Sequence, residues 1–274
     1  MIITNVVQNS PQWFAIRAGV ITASMFSEVR KTMNGLEDRQ RLYVDALLSG
    51  MSEKDAREHA GYKAAPQSDR VRRALAGEKV GEYTSAALDY GFRLAIERIC
   101  GESLDEGGFD TFAARRGREL EPDARAHHER EINAFVQQTG FVKTDCGRFG
   151  ASADGLIDND GGSEYKCFIA PERIREIVLE HDISDHYDQI QGGMWITGRD
   201  WWDFCLYCPA LEPANRELTR FRVYRDEDYI EALEADLVAF DENVVKPYYD
   251  KLLAGQVPPR QRDTHDAAEA AELF

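Results

Sequence analysis

Gly150-Ala151-Ser152-Ala153-Asp154-Gly155-Leu156-Ile157-Asp158-Asn159-Asp160-Gly161-Gly162-Ser163-Glu164-Tyr165-Lys166-Cys167 is the stretch whose reading decides the fold. Leu156-Ile157 is a short apolar piece and Asn159-Asp160-Gly161-Gly162 is a strong turn signal, so the segment reads as a β-hairpin. A hairpin brings Asp154 and Glu164 together from opposite strands. Glu164 and Lys166 then share one face of the second strand, because side chains alternate with a period of two. Two carboxylates and one ammonium converge on a small volume. Carboxylates are hard oxygen ligands suited to Mg²⁺, which keeps several waters and recruits substrate phosphates. A lysine beside such an ion can orient or deprotonate an attacking water. Acidic turns and Glu-x-Lys pairs also occur on solvated hairpins, so the rest of the chain decides between the two readings.

Upstream, Ser10-Pro11 is a helix start, with Ser10 as N-cap and Pro11 as the first helical residue. Gly19 ends that helix, Val20-Ile21 extends, and Thr22 or Ser24 is expected to cap a second helix through Arg30. Residues 36–83 are polar and helical in pattern, with breaks at Gly50, Gly61 and Gly77. Ser85–Cys100 reads as an amphipathic helix ending at Gly101. Phe112–Glu129 reads as a long helix whose pattern Gly117 and Pro122 disturb. Phe141–Lys143 and Arg148–Ala151 read as strands leading into the hairpin.

Downstream, Pro171–Glu180 and His186–Thr197 read as helices, Trp201–Tyr207 as a strongly apolar strand and Phe221–Tyr224 as the last strand. Asp226 caps a long helix to Leu253, closed by Gly255 and Pro258-Pro259. Strands flanked by helices in mixed order give an α/β class.

The 274 residues, 43% of them hydrophobic, suit one large domain or one domain with an insertion. No apolar run approaches the roughly 18 residues that span a bilayer, and no basic-then-apolar signal pattern opens the chain. A cytoplasmic location is therefore expected. The five cysteines are an odd count that argues for reduced thiols over a disulfide framework. A net charge of −16 argues against a protein that coats nucleic acid with its whole surface. It leaves room for a nuclease, whose site needs carboxylates and whose cations can be gathered in one groove.

Other motifs read as structure. Cys205-x-x-Cys208 lies in an apolar strand and lacks two further cysteines for a cluster, so both read as core. His127 and His128 are adjacent and diverge on a helix. No Gly-x-x-x-x-Gly-Lys-Ser/Thr loop is present, so ATP-driven motion is not encoded. Trp201-Trp202 could stack bases, but at least one reads as core.

Four of these segments together resemble the phage-lambda-type alkaline exonucleases, also called YqaJ-like viral recombinases. Trp13…Arg17-Ala18-Gly19-Val20-Ile21-Thr22-Ala23-Ser24 matches the family's opening motif, and Gly117-Arg118-Glu119-Leu120-Glu121-Pro122-Asp123-Ala124-Arg125 its G-x-x-x-E-P-x-A-R helix. Ser152-Ala153-Asp154-Gly155 with Glu164-Tyr165-Lys166-Cys167 resembles its S-P-D-G and E-x-K-C hairpin. Tyr187-Asp188-Gln189-Ile190-Gln191 followed by Met194–Gly198 resembles its Y-x-x-Q-x-Q helix. Ala153 stands where the family usually has proline, and residues 36–80 have no counterpart in shorter members.

The resemblance implies a restriction-endonuclease-like PD-(D/E)xK core, with a mixed central sheet flanked by helices, that hydrolyses DNA phosphodiesters. It implies one nuclease domain over residues 1–260, with a helical insertion at about 36–80 and an acidic, mobile tail at 261–274. Asp154 and Glu164 would be metal ligands with the Tyr165 carbonyl, Glu121 would reach a second metal, and Lys166 would position the water. The expected ion is Mg²⁺, with Mn²⁺ as a substitute. Arg17, Thr22 and Ser24 match the pocket for a 5′-terminal phosphate; a guanidinium grips phosphate bidentately and hydroxyls at a helix N-terminus donate to anions. Gln189 and Gln191 cannot share a helix face, and Gln189 is expected at the site. The implied activity is a Mg²⁺-dependent 5′→3′ exonuclease on double-stranded DNA ends, serving phage-type recombination in a bacterial host. A single-strand annealing protein as partner and a toroidal homotrimer are implied with it. The alternatives are a structure-specific endonuclease of the same fold and a catalytically silent DNA-end-binding module.

Overall fold

The structure is a computed structural model that describes residues 2–78, 80–104 and 111–254. It begins with β1 (Ile2–Thr4) and α1 (Pro11–Arg17). The start of α1 is as the sequence predicts: Ser10 Oγ accepts from the Trp13 amide at 3.2 Å. Then come β2 (Ile21–Thr22), a 3-10 turn at Ala23–Met25 and α2 (Phe26–Arg30). Neither Thr22 nor Ser24 caps a helix through its side chain. Thr22 precedes the 3-10 turn and Ser24 lies within it, and the two hydroxyls share a hydrogen bond of 3.3 Å. Gly19 has φ +70°, and a Cβ there would lie 2.5 Å from Arg98 Cγ. Its N–H donates to Glu97 Oε2 and its carbonyl accepts from Arg98 Nε, both at 2.8 Å. Only glycine lets this turn close on the helix beside it.

The next segment leaves the body through β3 (Thr32–Met33), forms α3 (Asp38–Leu48), α4 (Glu53–His59) and α5 (Asp69–Leu75), and returns through β4 (Glu82–Tyr83). β3 and β4 pair antiparallel, Thr32 with Tyr83 and Met33 with Glu82, and form the stalk of this excursion. The breaks expected at Gly50, Gly61 and Gly77 fall where these helices end. Tyr43, Val44, Ala46, Ala56, Ala60 and Val71 are buried in a cluster of their own. The lobe thus holds together by local burial and needs no face of the main body to do so.

α6 (Ser85–Cys100) ends at left-handed Gly101, as predicted, and α7 (Phe112–Ile132) runs unbroken through Gly117 and Pro122. Five short strands follow: β5 (Val136–Gln137), β6 (Phe141–Lys143), β7 (Phe149–Ala151), β8 (Gly155–Ile157) and β9 (Gly161–Lys166). β8 and β9 are the predicted hairpin, antiparallel with Gly155 opposite Ser163 and Ile157 opposite Gly161. After α8 (Pro171–Val178) and α9 (Ser184–Thr197) come β10 (Trp201–Tyr207) and β11 (Leu218–Tyr224). Asp226 caps α10 (Glu227–Phe240), which passes through a π turn at Asp241–Val245 into α11 (Lys246–Ala254). The expected stop at Gly255 and Pro258-Pro259 and the tail at 261–274 lie outside the described residues.

Apart from the β3–β4 pair of the stalk, the strands form two sheets. β11-β10-β9-β8-β5 is a mixed sheet in which only β9 and β10 run parallel. β6 and β7, expected simply to lead into the hairpin, instead pair with β1 and β2 in a second sheet, β1-β6-β7-β2. The parallel pairing sets Gly161 beside Trp201 and Gly162 beside Trp202. A Cβ on either glycine would come within 2.2 Å of its indole ring. Trp202 is 2% exposed and belongs to the core under α9, while the Arg222 guanidinium lies 3.7 Å over the Trp201 ring. A second core, with Phe26, Leu94, Phe149 and Phe240 at its centre, fastens α2, α6 and α10 to β7.

Candidate active site

The hairpin turns at Asp158, which takes φ +47°. Its register leaves Asp154 just before β8, where Oδ2 accepts from the backbone N–H of Tyr165 at 2.7 Å. Glu164, 6% exposed, points with Lys166 to the same side, and Oε1 accepts from Lys166 Nζ at 2.7 Å. Gln189 of α9 joins them: its Nε2 donates to Glu164 Oε1 at 2.7 Å and its Oε1 accepts from Lys166 at 3.2 Å. Gln191 faces elsewhere, bonding the Tyr224 carbonyl and the Asp226 N–H. Glu121 reaches the same region from α7 and is ion-paired with Arg125 one turn later. Of the two glutamines, α9 therefore directs the one expected, and Asp154, Glu164, Lys166 and Gln189 all line one cavity of about 210 Å³.

The charges in this space repel. Burial, then the neighbouring Glu164 and Glu121, push the Asp154 carboxyl well above the usual carboxylate range, against the opposing pull of Lys166 and the Tyr165 N–H. Burial also raises Glu121; Arg125 opposes the rise and Glu164 adds to it. Burial would lower the Lys166 ammonium, but Glu164 and Asp154 outweigh it and hold the group above its ordinary value. Lys166 is therefore a cation at neutral pH, suited to orient a water rather than to take its proton.

Arg17, Thr22 and Ser24 line the same cavity. The Arg17 guanidinium carbon lies 3.7 Å over the Trp13 ring, and Trp13 Nε1 donates to Ser152 Oγ at 2.9 Å. The indole thus links the arginine to the loop that carries Asp154. The Thr22 N–H donates to Tyr90 Oη at 3.1 Å. Arg17, Thr22 and Ser24 also open onto a pocket of about 400 Å³ lined by Tyr90 and Arg93. Ser24, Lys166 and Gln189 border a cleft of about 580 Å³ lined by Arg30, Lys31 and Arg173 and by Asp188 and Asp185, which pair with Arg30 and Arg173. His186 in that cleft is pulled down to about 4 by burial and by Lys166 and Arg173, so it is neutral at pH 7.

Trp13, Tyr90, Arg93, Arg125 and Ser152 gained no role from the sequence. Spacing could have found two of them: Trp13 lies four residues before Arg17, and Arg125 four after Glu121, so each pair shares a helix face. Ser152 stands two residues before Asp154 in the quoted motif, whereas nothing local marks Tyr90 or Arg93, which arrive through tertiary packing.

Behind β9, Tyr165 Oη bonds His128 Nδ1 at 2.9 Å, and His128 Nε2 bonds Asp203 at 3.0 Å. Asp203 is fully buried and accepts from Arg222 Nε and Nη2 at 2.9 and 2.8 Å. His127 turns away to Glu217. Cys205 and Cys208 are buried and free, as read from the sequence.

Among the described residues no three His, Cys, Asp or Glu side chains converge on one point as ligands. Glu164 is turned to Lys166 and Gln189, and Glu121 to Arg125. In donor type and charge the set nevertheless fits a divalent cation. Its oxygens are hard donors, and the repulsion that raises Asp154 and Glu121 is what such an ion would relieve.

A family model of the YqaJ-like viral recombinase domain matches residues 12–200. No curated protein matches the chain. Among solved structures, an alkaline exonuclease (LHK-Exo) from Laribacter hongkongensis superposes with a TM-score of 0.61 at 24% identity, covering 90% of this chain and 99% of that one. LHK-Exo in complex with dAMP gives 0.62 at 25% identity, covering 95% and 100%.

Proposed function

The chain belongs to the YqaJ-like viral recombinase family, and from that premise we propose that it is a Mg²⁺-dependent exonuclease degrading double-stranded DNA from 5′ ends. One observation carries the reading: Arg17, Thr22 and Ser24 line the same cavity of about 210 Å³ as Asp154, Glu164 and Lys166. A terminal phosphate gripped by Arg17 would leave the next phosphodiester beside the carboxylates. The alkaline exonucleases of similar structure, one of them holding dAMP, support this.

Asp154, Glu164 and Glu121, with the Tyr165 carbonyl, would hold the cation. It would stabilise charge developing on the scissile phosphate and lower the pKa of a water. The Tyr165 N–H fixes the Asp154 carboxylate at 2.7 Å. The Lys166 ammonium, braced by Glu164 and Gln189, orients the attacking water and faces the charge that builds in the transition state. Arg17, its guanidinium carbon 3.7 Å over the Trp13 ring, presents its fork to the 5′-phosphate, and Thr22 and Ser24 add hydroxyl donors.

The single strand left by digestion would pass to a single-strand annealing protein. A homotrimeric ring would reconcile a net charge of −16 with DNA binding, by keeping the cations inside. Among the described residues no helix is long and apolar enough to cross a membrane. The test is digestion of linear duplexes with 5′-phosphate or 5′-hydroxyl ends, with Mg²⁺ or EDTA, beside closed circular DNA. Mononucleotide release from linear ends only, faster from phosphorylated ones, and only with metal, is the expected result. Cutting of circles would assign an endonuclease instead, and binding without cleavage a silent end-binding module.

A further inference from the structure

A third opening meets the carboxylates from a different side. It is a groove of about 450 Å³ that shares Asp154 with the central cavity and adds Glu121, but contains none of Arg17, Thr22 and Ser24. Its walls present four exposed amide side chains, Asn5, Asn9, Gln137 and Gln138, with Arg118 beside the carboxylates. The walls are braced rather than loose. Gln8 Nε2 donates to the carbonyls of Thr139 and Ala153, at 3.3 and 3.0 Å, tying the segment after β1 to the opposite wall and to the residue before Asp154. At Gly140 a Cβ would lie 2.2 Å from the Thr4 carbonyl, so the two walls are in close contact there. Gln137 sits in β5, paired with Leu156 of the hairpin.

We infer that this amide-lined groove holds the nucleoside on the 3′ side of the scissile phosphate, the first unit of the strand that stays behind after each cut. The inference rests on the exonuclease reading and fixes the course of the strand within it. With a 5′-phosphate at Arg17 and the scissile bond at Asp154, the chain continues away from Arg17, and the groove is the opening that begins at Asp154 without returning to the Arg17 pocket. The chemistry of its walls agrees. A stretch of phosphates placed against Glu121 and Asp154 would call for several cations; this groove has Arg118, whereas Arg30, Lys31, Lys166 and Arg173 line the other cleft. A sugar and base are neutral and polar. Amides offer one donor group and one acceptor each without charge, so they hold base edges of either pattern. They also leave the strand free to advance after each cut, where a charged grip on every phosphate would hold it back.

The test is a cycle on full-length protein, with single-turnover cleavage of 5′-phosphorylated duplexes as readout. One duplex is intact, a second carries an abasic tetrahydrofuran at the second nucleotide, and a third carries it at the first. Wild type is expected to lose about ten- to a hundredfold on the second duplex relative to the first. Asn5→Ala/Gln137→Ala, both exposed positions, is expected to show that loss already on intact DNA and little more on the second duplex, because substitution and lesion remove the same contact. The third duplex should slow both proteins equally. Multiplying losses on the second duplex, a double variant that cuts intact DNA at the wild-type rate, or sensitivity that moves to Arg30→Ala would each overturn the assignment. Should wild type fail to degrade intact linear DNA, it is the exonuclease reading that falls, so the two failures are told apart.

Discussion

The backbone N–H of Tyr165 donates to Asp154 Oδ2 at 2.7 Å, so the amide between Glu164 and Lys166 holds the carboxylate of the opposite strand. Asp154→Ala removes a charge and the acceptor for that amide, and Glu164→Ala a charge and the acceptor for Lys166 Nζ and Gln189 Nε2. Each is expected to lower metal-dependent cleavage by on the order of 10³-fold or more, with an unchanged circular dichroism spectrum. EDTA should abolish wild-type activity and added Mg²⁺ restore it. Near-normal digestion by either folded variant would remove the hairpin from the chemistry.

Lys166→Ala is expected to lower kcat by about 10²-fold while leaving the Mg²⁺ concentration for half-maximal rate within a few-fold. The folded protein holds Lys166 above its ordinary value of 10.5, so the ammonium persists throughout pH 7–9.5. No loss of rate in that window should trace to its deprotonation. A falling alkaline limb in wild type that vanishes in Lys166→Arg would contradict this.

Arg17 is placed to sense the end. A charge-assisted contact to a phosphate monoester contributes about 1.5–3 kcal/mol, so 5′-phosphorylated ends should be preferred by roughly ten- to a hundredfold over hydroxyl ends. Arg17→Ala should erase most of the preference and Arg17→Lys restore part of it. Trp13→Leu should weaken it too, since the guanidinium rests 3.7 Å over that ring. An undiminished preference in Arg17→Ala would locate the sensor elsewhere.

Asp203 links pH to stability. Burial would raise its carboxyl, but Arg222, His128 and Arg220 outweigh burial and hold it down to about 2, below its ordinary 3.8. A depressed folded value means the contribution is fully present above about pH 4 and is lost as pH falls through about 2. The melting temperature of wild type should drop across that window. Asp203→Asn should be destabilised at pH 7 by about 3 kcal/mol, leaving Arg222 without its charge, and should lose less on acidification. Parallel acid curves for the two proteins would argue against the network.

The stalk of the helical lobe offers a cut. Met33 and Glu82 face each other in register, so residues 34–81 can be replaced by an Asn-Gly turn. Because α3–α5 bury their own cluster, the remaining body is expected to fold with a melting temperature within a few degrees of wild type. Insoluble or molten protein would show that the lobe is part of the body's core.

The hairpin was legible because its signals are local: an apolar pair, a turn rich in Asn, Asp and Gly, and alternation that puts Glu164 and Lys166 together. Ser10 and Asp226 were legible for the same reason, each capping within three residues. What escaped depends on distant partners. Nothing around Phe141 or Phe149 says that β6 and β7 pair with β1 and β2 instead of extending the hairpin sheet. Thr22 and Ser24 read as caps, but packing of the following residues imposes a 3-10 turn and leaves their hydroxyls facing each other. Pro122 reads as a disturbance, and α7 passes through it unbroken. Arg93 reaches the 400 Å³ pocket from α6, and Ser152 reaches the central cavity from the loop after β7.

Gly161 and Gly162 give the indoles of Trp201 and Trp202 the space a methyl group would need. The four positions therefore work as two interlocked couples. A methyl gained on one strand would shear β9 off its neighbour, and a ring lost on the other would leave a slot for β9 to slide into. Natural variation can pass through these sites only when both strands change in step. Glu164 and Lys166, a few residues further along β9, take their register from this fit between bare backbone and aromatic ring.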